Sequence, residues 1–195
     1  MSTPVVLITG ALTGIGRATA VAFAKEGARL VISGRDEVKG NSLETELRGR
    51  GAEAKFVTAD VRHDKEVSNL VDRAVARFGR LDVAVNNAGT EGKPGPLTNV
   101  SAETYAAIFD TNVLGTLLGL KHELRIMQAQ GSGSIVNISS TMGERGAANL
   151  SRTRDANRQQ RSLGHEQVRS LVWCAADQVS AAPYPASGTR RRGHK

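Results

Sequence analysis

Hydrophobic residues follow two patterns along the first 140 residues of the chain. Short continuous apolar runs, such as Val5-Val6-Leu7-Ile8, are typical of strands that are buried on both faces of a sheet. Longer segments repeat apolar residues every three or four positions, which is the period of an amphipathic helix. The clearest example is the segment Asp64–Phe78, whose apolar face consists of Val67, Leu70, Val71, Ala74 and Phe78. The two patterns alternate along the chain, which predicts alternating strands and helices.

The alternation predicts five strands and four helical regions. The strands are expected at Val5–Ile8 and at residues 29–33, 55–58, 83–85 and 134–139. Helices are expected at residues 18–26, 37–48 and 64–78, and residues 101–130 are expected to form one or two more. This order predicts an α/β fold, a doubly wound parallel sheet covered by helices, with ligands bound at the carboxyl ends of its strands.

Residues 151–195 differ in composition from the rest of the chain. They contain nine Arg or Lys and three Asp or Glu, a net charge of +6, whereas residues 1–150 contain 17 and 16 and carry +1. Only five of the last 45 residues are Leu, Ile, Val or Phe. We therefore expect one domain at 1–150, a sheet truncated after its fifth strand, and a largely irregular, disordered basic tail at 151–195. Within this tail only residues 167–176 are a weak helix candidate.

The overall composition excludes several classes of protein. With 39% hydrophobic and 23% charged residues the chain is globular, and no apolar stretch is long enough to cross a membrane. Cys174 is the only cysteine, so a reducing compartment is expected, and we predict a cytoplasmic protein with no membrane contact. The four histidines have no metal-ligand spacing with Cys174, and no metal site is predicted.

A glycine-rich loop joins the first strand to the first helix. It reads Thr9-Gly10-Ala11-Leu12-Thr13-Gly14-Ile15-Gly16. Glycines permit a tight turn and let the backbone approach a pyrophosphate, and the helix that follows offers free N–H groups and the positive end of its dipole. The spacing G-x-x-x-G-x-G differs from the G-x-G-x-x-G fingerprint, so the loop alone is also compatible with an ordinary glycine-rich turn.

Four further motifs follow the glycine loop in order. They are Asp60-Val61 after the third strand, Asn86-Asn87-Ala88-Gly89 after the fourth, Asn112 in the long helical region and Ser139-Ser140 after the fifth. Together the five motifs resemble those of the short-chain dehydrogenase/reductase family, over residues 4–151. The segment 133–143 is most similar to the 3-oxoacyl-carrier-protein reductase branch of that family.

The resemblance implies a role for each matching residue. Those expected to bind the pyrophosphate and the adjoining ribose are Thr9, Gly10, Thr13, Gly14, Ile15 and Gly16. Asp60 and Val61 would border the adenine. The nicotinamide-side ribose would be bound by Asn87, Ala88 and Gly89. Asn112 would hold the helix and a proton-relay water, and Ser140 would bind the substrate oxygen. The implied activity is NAD(P)-dependent hydride transfer between the nicotinamide and a ketone or secondary alcohol.

The choice of cofactor depends on the end of the second strand. An acidic residue there binds the ribose 2′-hydroxyl of NAD, whereas an arginine accommodates the 2′-phosphate of NADP. Gly34 takes the place of the acid in NAD-specific members of the family, and Arg35 follows it. Asp36 is better placed to cap the next helix. We therefore favour NADP, with the alternative that Arg35 is a solvated turn residue.

The family resemblance ends where its catalytic Tyr-x-x-x-Lys is expected. In the family the lysine lowers the pKa of the tyrosine, so that the phenol can exchange a proton near neutral pH. Thirteen and seventeen residues after Ser140 the chain has Thr153 and Asn157, which cannot replace them. Tyr184 lies between two prolines, and no Tyr-x-x-x-Lys occurs in the sequence.

A change of reading frame would explain this abrupt loss of the motif. Residues 152–157, back-translated and shifted by two bases, spell Tyr-Ala-Gly-Cys-Lys with permitted third bases. We therefore hypothesise a frameshift, a wrongly assigned exon boundary or a sequencing error near codon 151. A gene whose shifted frame meets a stop codon would contradict this hypothesis.

Three functions remain compatible with the sequence. The first is an oxidoreductase that acts on a small carbonyl or alcohol substrate, binds its cofactor weakly and turns over very slowly, and whose intact form is a homo-oligomer. The second is a non-catalytic protein that binds the cofactor or regulates a partner. The third is salt-sensitive binding of nucleic acid by the basic tail. No recognition module supports the third function, and a solvated chain end explains the charge more simply.

Overall fold

The described part of the chain forms an α/β sandwich around a parallel sheet. The computed structural model describes residues 3–92, 95–140 and 169–175. The strands are β1 Val5–Ile8, β2 Arg29–Gly34, β3 Ala54–Thr58, β4 Val83–Asn86, β5 Ser134–Ser140 and β6 Arg169–Ala175. The helices are α1 Gly14–Lys25, α2 Glu37–Gly49, α3 Asp64–Phe78, α4 Ala102–Phe109 and α5 Gly115–Gln130. A single 3-10 turn, Leu97–Asn99, precedes α4.

The six described strands lie in the order β3-β2-β1-β4-β5-β6, and every neighbouring pair is parallel. The chain therefore builds outward from β1 in one direction and then returns to build from β4 in the other. The reversal leaves a crevice between β1 and β4 at the carboxyl ends of the strands, which is where open α/β sheets bind ligands. The predicted doubly wound sheet is confirmed.

Side chains of alternate strand residues enter two separate cores. On one face Val6, Ile8 and Ile32 pack with residues of α1 and α2. On the other face Leu7 and Val31 pack with residues of α3 and α5. Because both faces of β1 are covered, its four residues are all apolar and buried, as the continuous apolar run predicts.

The helix ends follow local sequence signals. The Asp36 carboxylate accepts a 3.0 Å hydrogen bond from Lys39 N and caps α2. Ser101 Oγ accepts one of 3.2 Å from Thr104 N and caps α4. Helix α3 has the bounds that its apolar period predicts, Asp64–Phe78. The predicted helical region 101–130 consists of α4 and α5, joined without a break by a π-helical turn at Asp110–Leu114.

The expectation that the sheet stops at the fifth strand is wrong. Strand β6 pairs with β5 in parallel over seven residues, from Ser134 with Arg169 to Ser140 with Ala175. The weak helix candidate at 167–176 is therefore a strand over most of its length. The physical reason is that the apolar run at 171–175 is too short to form a helix of its own. It can pair instead with the edge of β5, whose backbone groups would otherwise lack partners. The rest of the predicted tail lies outside the described residues.

Candidate functional site

A cleft of about 840 Å³ opens at the carboxyl ends of the strands, over the crevice between β1 and β4. The segments that follow β1, β2, β3 and β4 and the last residues of β5 all contribute to its walls. Twelve of the fourteen residues predicted to form the site line it, namely Gly10, Thr13, Gly14, Ile15, Arg35, Asp60, Val61, Asn87, Ala88, Gly89, Asn112 and Ser140. The fold therefore brings residues as much as 130 positions apart in the sequence to one cleft.

Thr9 and Gly16 are the two predicted residues that support the cleft from beneath. Thr9 is buried, and its hydroxyl accepts hydrogen bonds from Asn87 N and Ala88 N at 3.1 and 3.2 Å. This ties the end of β1 to the end of β4. Gly16 is packed so closely that an added Cβ would collide with Gly10 O and Asn87 Nδ2.

The glycine loop has the conformation that a phosphate site requires. Gly10 has a φ of +63°, and an added Cβ would lie 2.7 Å from Ala88 Cα, so only glycine fits there. Gly14 has a φ of +52° and begins α1, but an added Cβ would meet no atom within 4 Å because this position faces the open cleft. The Thr13 side chain does not cap α1. The first N–H groups of α1 are therefore available to an anion.

Asn87 fixes the shape of this loop. Its side-chain Nδ2 donates hydrogen bonds to Thr9 O and Gly10 O, at 3.1 and 2.9 Å. A side chain from the β4 end thus binds the carbonyl groups of the turn and directs them away from the cleft. Loss of these bonds would release the turn that positions the helix N-terminus.

Asn112 clamps the segment that leaves β4. Its Oδ1 accepts a 2.8 Å hydrogen bond from Thr90 N, and its Nδ2 donates a 2.9 Å bond to Thr90 O. The side-chain amide of Asn112 thus bonds to both backbone groups of Thr90, as the backbone of a neighbouring strand would. It lies in the π-helical turn at Asp110–Leu114, an irregularity that often occurs at functional sites. Its predicted role in holding a water remains a prediction.

The last residues of β5 form the opposite wall of the cleft. Ile138, Ser139 and Ser140 all line it, and the sequence singled out Ser140 from these three. Ser139 is buried, whereas Ser140 is half-buried. Thr153 and Asn157, at the positions of the family's Tyr and Lys, lie outside the described residues.

Charged side chains gather where β2 and β3 end. Arg62 donates to both carboxylate oxygens of Asp60, with its Nη2 2.6 Å from Oδ2 and its Nε 3.0 Å from Oδ1. This hydrogen-bonded guanidinium lowers the pKa of Asp60 to about 2, so its carboxylate is charged at neutral pH. Arg35 Nη1 lies 4.0 Å from the same Oδ2. Lys39 binds Asp36 at 3.2 Å.

Sequence reasoning missed several residues of the cleft. Arg62, Lys39 and Thr90 are the polar ones with the clearest contacts to predicted residues. Arg62 stands directly after the Asp60-Val61 motif, and its spacing of two from Asp60 was a usable signal. Lys39 lies in the first turn of α2, and nothing in the sequence distinguishes it from a solvent-exposed helix residue.

A buried carboxyl group lies beneath the β4 wall. Glu123 of α5 is 1% exposed, and its Oε2 accepts a 3.0 Å hydrogen bond from Asn86 Nδ2. The same Nδ2 group donates to Asn137 Oδ1 of β5. Burial raises the pKa of Glu123 to about 7. Asn86 directly precedes Asn87, so this network supports the residue that braces the glycine loop.

The cleft fits an extended dinucleotide better than a metal ion. The uncapped N-terminus of α1 and the open Gly14 suit a pyrophosphate, and the cleft continues from there to the charged residues that follow β2 and β3. Among the described residues no group of three or more His, Cys, Asp or Glu is arranged to hold a metal. No helix within the described ranges is long and apolar enough to cross a membrane.

Comparison with protein families supports this interpretation of the cleft. Residues 4–152 match the family model described as short chain dehydrogenase. The chain is 42% identical over 142 residues to xanthoxin dehydrogenase of Arabidopsis thaliana, which covers 71% of this chain and 50% of that protein. It is also 42% identical over 152 residues to levodione reductase of Leifsonia aquatica, covering 75% and 56%. The chain thus spans little more than half the length of these relatives.

Solved structures with the same fold hold either dinucleotide. A short-chain dehydrogenase/reductase of Burkholderia phymatum in complex with NAD has a TM-score of 0.85 and 31% identity, covering 89% of this chain and 65% of that one. A variant of actinorhodin polyketide ketoreductase with NADPH has a TM-score of 0.80 and 35% identity, covering 83% and 62%. These structures match the described fold and leave the choice between the two cofactors open.

Proposed function

The chain belongs to the short-chain dehydrogenase family, and from this premise we propose that it binds NADP in the cleft as an oxidoreductase of that family. The observation that carries the proposal is the uncapped N-terminus of α1 beside Gly14, which faces the same cleft as Asn112 and Ser140. When bound, the nicotinamide supplies the hydride that reduces a ketone, or accepts one from a secondary alcohol. The named relatives are a dehydrogenase and a reductase, which supports a small carbonyl or hydroxyl compound as substrate.

The first task of the chain is to hold the cofactor. The first turn of α1 would hold the pyrophosphate, because its N–H groups and dipole favour an anion. Asp60 and Val61 would border the adenine, and the segment 87–89 the ribose on the nicotinamide side, since all five residues line the cleft. The Asn112 side chain holds Thr90, the residue that follows this segment, in place, and the Asn87 side chain binds the segment to the glycine loop.

Ser140 is the residue we assign to the substrate oxygen. It ends β5 at the cleft, and a hydroxyl there donates a hydrogen bond to a carbonyl oxygen or accepts one from an alcohol. A proton must also be exchanged with that oxygen, and neither Thr153 nor Asn157 can supply one near neutral pH. The chain as written therefore orients a substrate but transfers hydride slowly.

NADP is the cofactor we favour because Gly34 ends β2 and Arg35 follows it. Gly34 places no carboxylate against the ribose, and Arg35 is 72% exposed and lines the cleft, where a 2′-phosphate can reach it. The titration of the full chain with NADPH and with NADH tests this choice. We expect tighter binding of NADPH, with the difference abolished in Arg35→Gln. Equal affinity for both nucleotides in the unaltered chain would contradict it.

A non-catalytic cofactor-binding protein is the second candidate function, and Thr153 and Asn157 are the observation that favours it. Absorbance at 340 nm, followed with NADPH and a panel of cyclic and linear ketones, separates the two. If the unaltered chain oxidises NADPH slowly and the Ser140→Ala variant does so more slowly still, the oxidoreductase is supported. Binding of NADPH without any turnover above that of Ser140→Ala supports the non-catalytic protein.

Two broader expectations follow from the same proposal. The single cysteine, Cys174, suits the reducing cytoplasm as the location of the protein. A form of the chain with an intact catalytic region is expected to be a homo-oligomer. Cell fractionation and light scattering test these expectations separately from cofactor binding.

A further inference from the structure

Two arginines compete for one carboxylate at the end of the cleft that the 2′-phosphate would occupy. Arg62 binds Asp60 through both oxygens, and its backbone N also donates to Asp60 Oδ1 at 3.1 Å. Arg35 approaches the same Oδ2 but stays at 4.0 Å, at the outer limit of an ion pair. The Asp60 side chain is 15% exposed and that of Arg62 35%, against 72% for Arg35. The half-buried Asp60–Arg62 pair is therefore satisfied internally, and the exposed Arg35 side chain remains free to turn towards solvent.

We propose that Arg62 determines cofactor specificity without touching the phosphate, by neutralising Asp60 so that Arg35 stays available to the 2′-phosphate of NADP. This inference rests on the proposed function, because it assumes that a dinucleotide lies in the cleft with its adenosine end at β2 and β3.

The physical argument concerns the charge that a 2′-phosphate would meet. With Arg62 present, Arg35, Lys39 and Arg62 face Asp36 and Asp60, and the net charge of these five lining residues is +1. Glu91 also lines the cleft, and its charge is the same in every variant compared. Without Arg62 the sum is zero, and the Asp60 carboxylate has no bidentate partner. A carboxylate without a cationic partner beside the adenosine ribose repels a 2′-phosphate, whereas the 2′-hydroxyl of NAD carries no charge for it to repel.

Removal of Arg62 also has a geometric consequence. The nearest remaining cation to Asp60 Oδ2 is Arg35, which needs to move by only about 1 Å to form a direct ion pair. Once paired there, the Arg35 guanidinium no longer points to the position of the phosphate. Arg62 is thus a positioning residue for Arg35, acting through Asp60.

The test measures dissociation constants of NADPH and NADH for Arg62→Gln, Asp60→Asn and the double variant, all in the full chain. We expect Arg62→Gln to weaken NADPH binding about tenfold, the size of effect that one uncompensated charge near a phosphate produces. NADH binding should change by no more than about twofold, since no phosphate meets the freed carboxylate. The double variant removes that carboxylate and should restore most of the lost preference for NADPH.

Arg80 and Asp82 provide a matched control. Arg80 binds Asp82 through both carboxylate oxygens with the same spacing of two residues, and their side chains are 40% and 20% exposed. This pair precedes β4, at the opposite end of the sheet from the cleft. Arg80→Gln is therefore expected to leave the ratio of the two dissociation constants unchanged.

The outcomes separate this inference from the proposed function. If Arg62→Gln weakens both nucleotides equally, Arg62 has only a structural role and the inference fails. It also fails if the double variant does not recover the preference, because Arg62 would then contact the phosphate directly. If the unaltered chain does not prefer NADPH, or if Arg35→Gln retains the preference, the proposed cofactor choice fails and the inference fails with it.

Discussion

Gly10 and Gly14 are both required in the loop after β1, for different physical reasons. At Gly10 a side chain would collide with the backbone of Ala88, so substitution would break the contact between the loop and the β4 end. At Gly14 a side chain would meet only the open cleft. The first glycine therefore serves the fold, and the second leaves room for a ligand.

The substitution Gly14→Ala tests this distinction. An alanine at a φ of +52° costs about 1 kcal/mol of strain, and its methyl group would occupy the space of a pyrophosphate. We expect NADPH affinity to fall at least tenfold while the melting temperature changes little, as measured by titration and thermal unfolding. Gly27→Ala is the control, because Gly27 has a φ of +77° and equally open surroundings but lies away from the cleft. Similar affinities for the two variants would contradict the assignment.

Glu123 gives the stability of the protein a dependence on pH near neutrality. Its pKa is raised by burial from the ordinary 4.5 to about 7, since the folded state favours the uncharged acid. A raised folded-state pKa means that the stabilisation is complete below about pH 4.5 and is lost as the pH rises through 7. The only side chain that hydrogen-bonds its carboxyl in the described structure is Asn86.

Glu123→Gln should remove this pH dependence. We expect the variant to gain up to about 3 kcal/mol in free energy of unfolding over the unaltered chain at pH 8.5, and under about 1 kcal/mol at pH 5. Chemical denaturation at the two pH values measures the difference. Glu46→Gln, at an exposed position bound to Arg17 and Arg50, is the control and should show no change between pH 5 and 8.5. A gain that is independent of pH would contradict a charged, buried Glu123 as the cause.

At the scale of whole elements, helix α2 protects the open edge of the sheet. Strand β3 lies at the edge of the sheet. Its odd-numbered residues bond to β2, as the bonds of Glu53 O and Ala59 N show. Because backbone groups alternate in direction along a strand, the N–H and C=O groups of residues 54 and 56 point away from β2. Glu44 Oε2 accepts a 2.6 Å hydrogen bond from Phe56 N, and Arg48 Nε donates a 2.9 Å bond to Ala54 O. The Glu44–Arg48 ion pair thus replaces one residue of a missing neighbouring strand.

Exchanging Glu44 and Arg48 tests whether this ion pair stabilises the protein through its charges alone or by replacing a neighbouring strand. If its charges alone matter, the swapped variant E44R/R48E keeps an ion pair and should be as stable as the unaltered chain. If the pair replaces a strand, the swap places a guanidinium against an N–H group and a carboxylate against a carbonyl. We expect the second result, with about 1–3 kcal/mol lost and faster amide exchange at Phe56. Glu46→Ala, which breaks the surface ion pairs with Arg17 and Arg50 one half-turn away, should cost under about 1 kcal/mol.

The elements also show how far the sequence predicts this fold. Helix α3 was predicted to the residue because its apolar period is regular over fifteen positions. Strand β6 was missed because its short apolar run lies within 45 residues whose average composition is polar and basic. Glu123 and Arg62 were missed for another reason. Whether a charged residue is buried, or binds a carboxylate within the cleft, depends on contacts between elements that no local pattern encodes.

At the scale of the whole molecule, the cleft unites motifs from five separate strand ends. Because the strands are parallel, their carboxyl ends lie along one edge of the sheet, which explains how motifs from separate strand ends come to line one cleft. Thr9 and Gly16 were assigned to the ligand, but the structure places them beneath the cleft, since the same motif encodes both the ligand surface and its support. The Tyr-x-x-x-Lys positions lie outside the described residues, and slow turnover remains a proposal.

The most direct test of the central claim is hydrogen–deuterium exchange of the full chain with and without saturating NADPH. We predict slower exchange of backbone amides in the glycine loop and first turn of α1, at the end of β2, at residues 60–62 and at residues 87–90. Amides at the opposite end of the sheet, around Arg80 and Asp82, should be unaffected. Protection confined to other regions, or none at NADPH concentrations in the millimolar range, would contradict a dinucleotide site in this cleft.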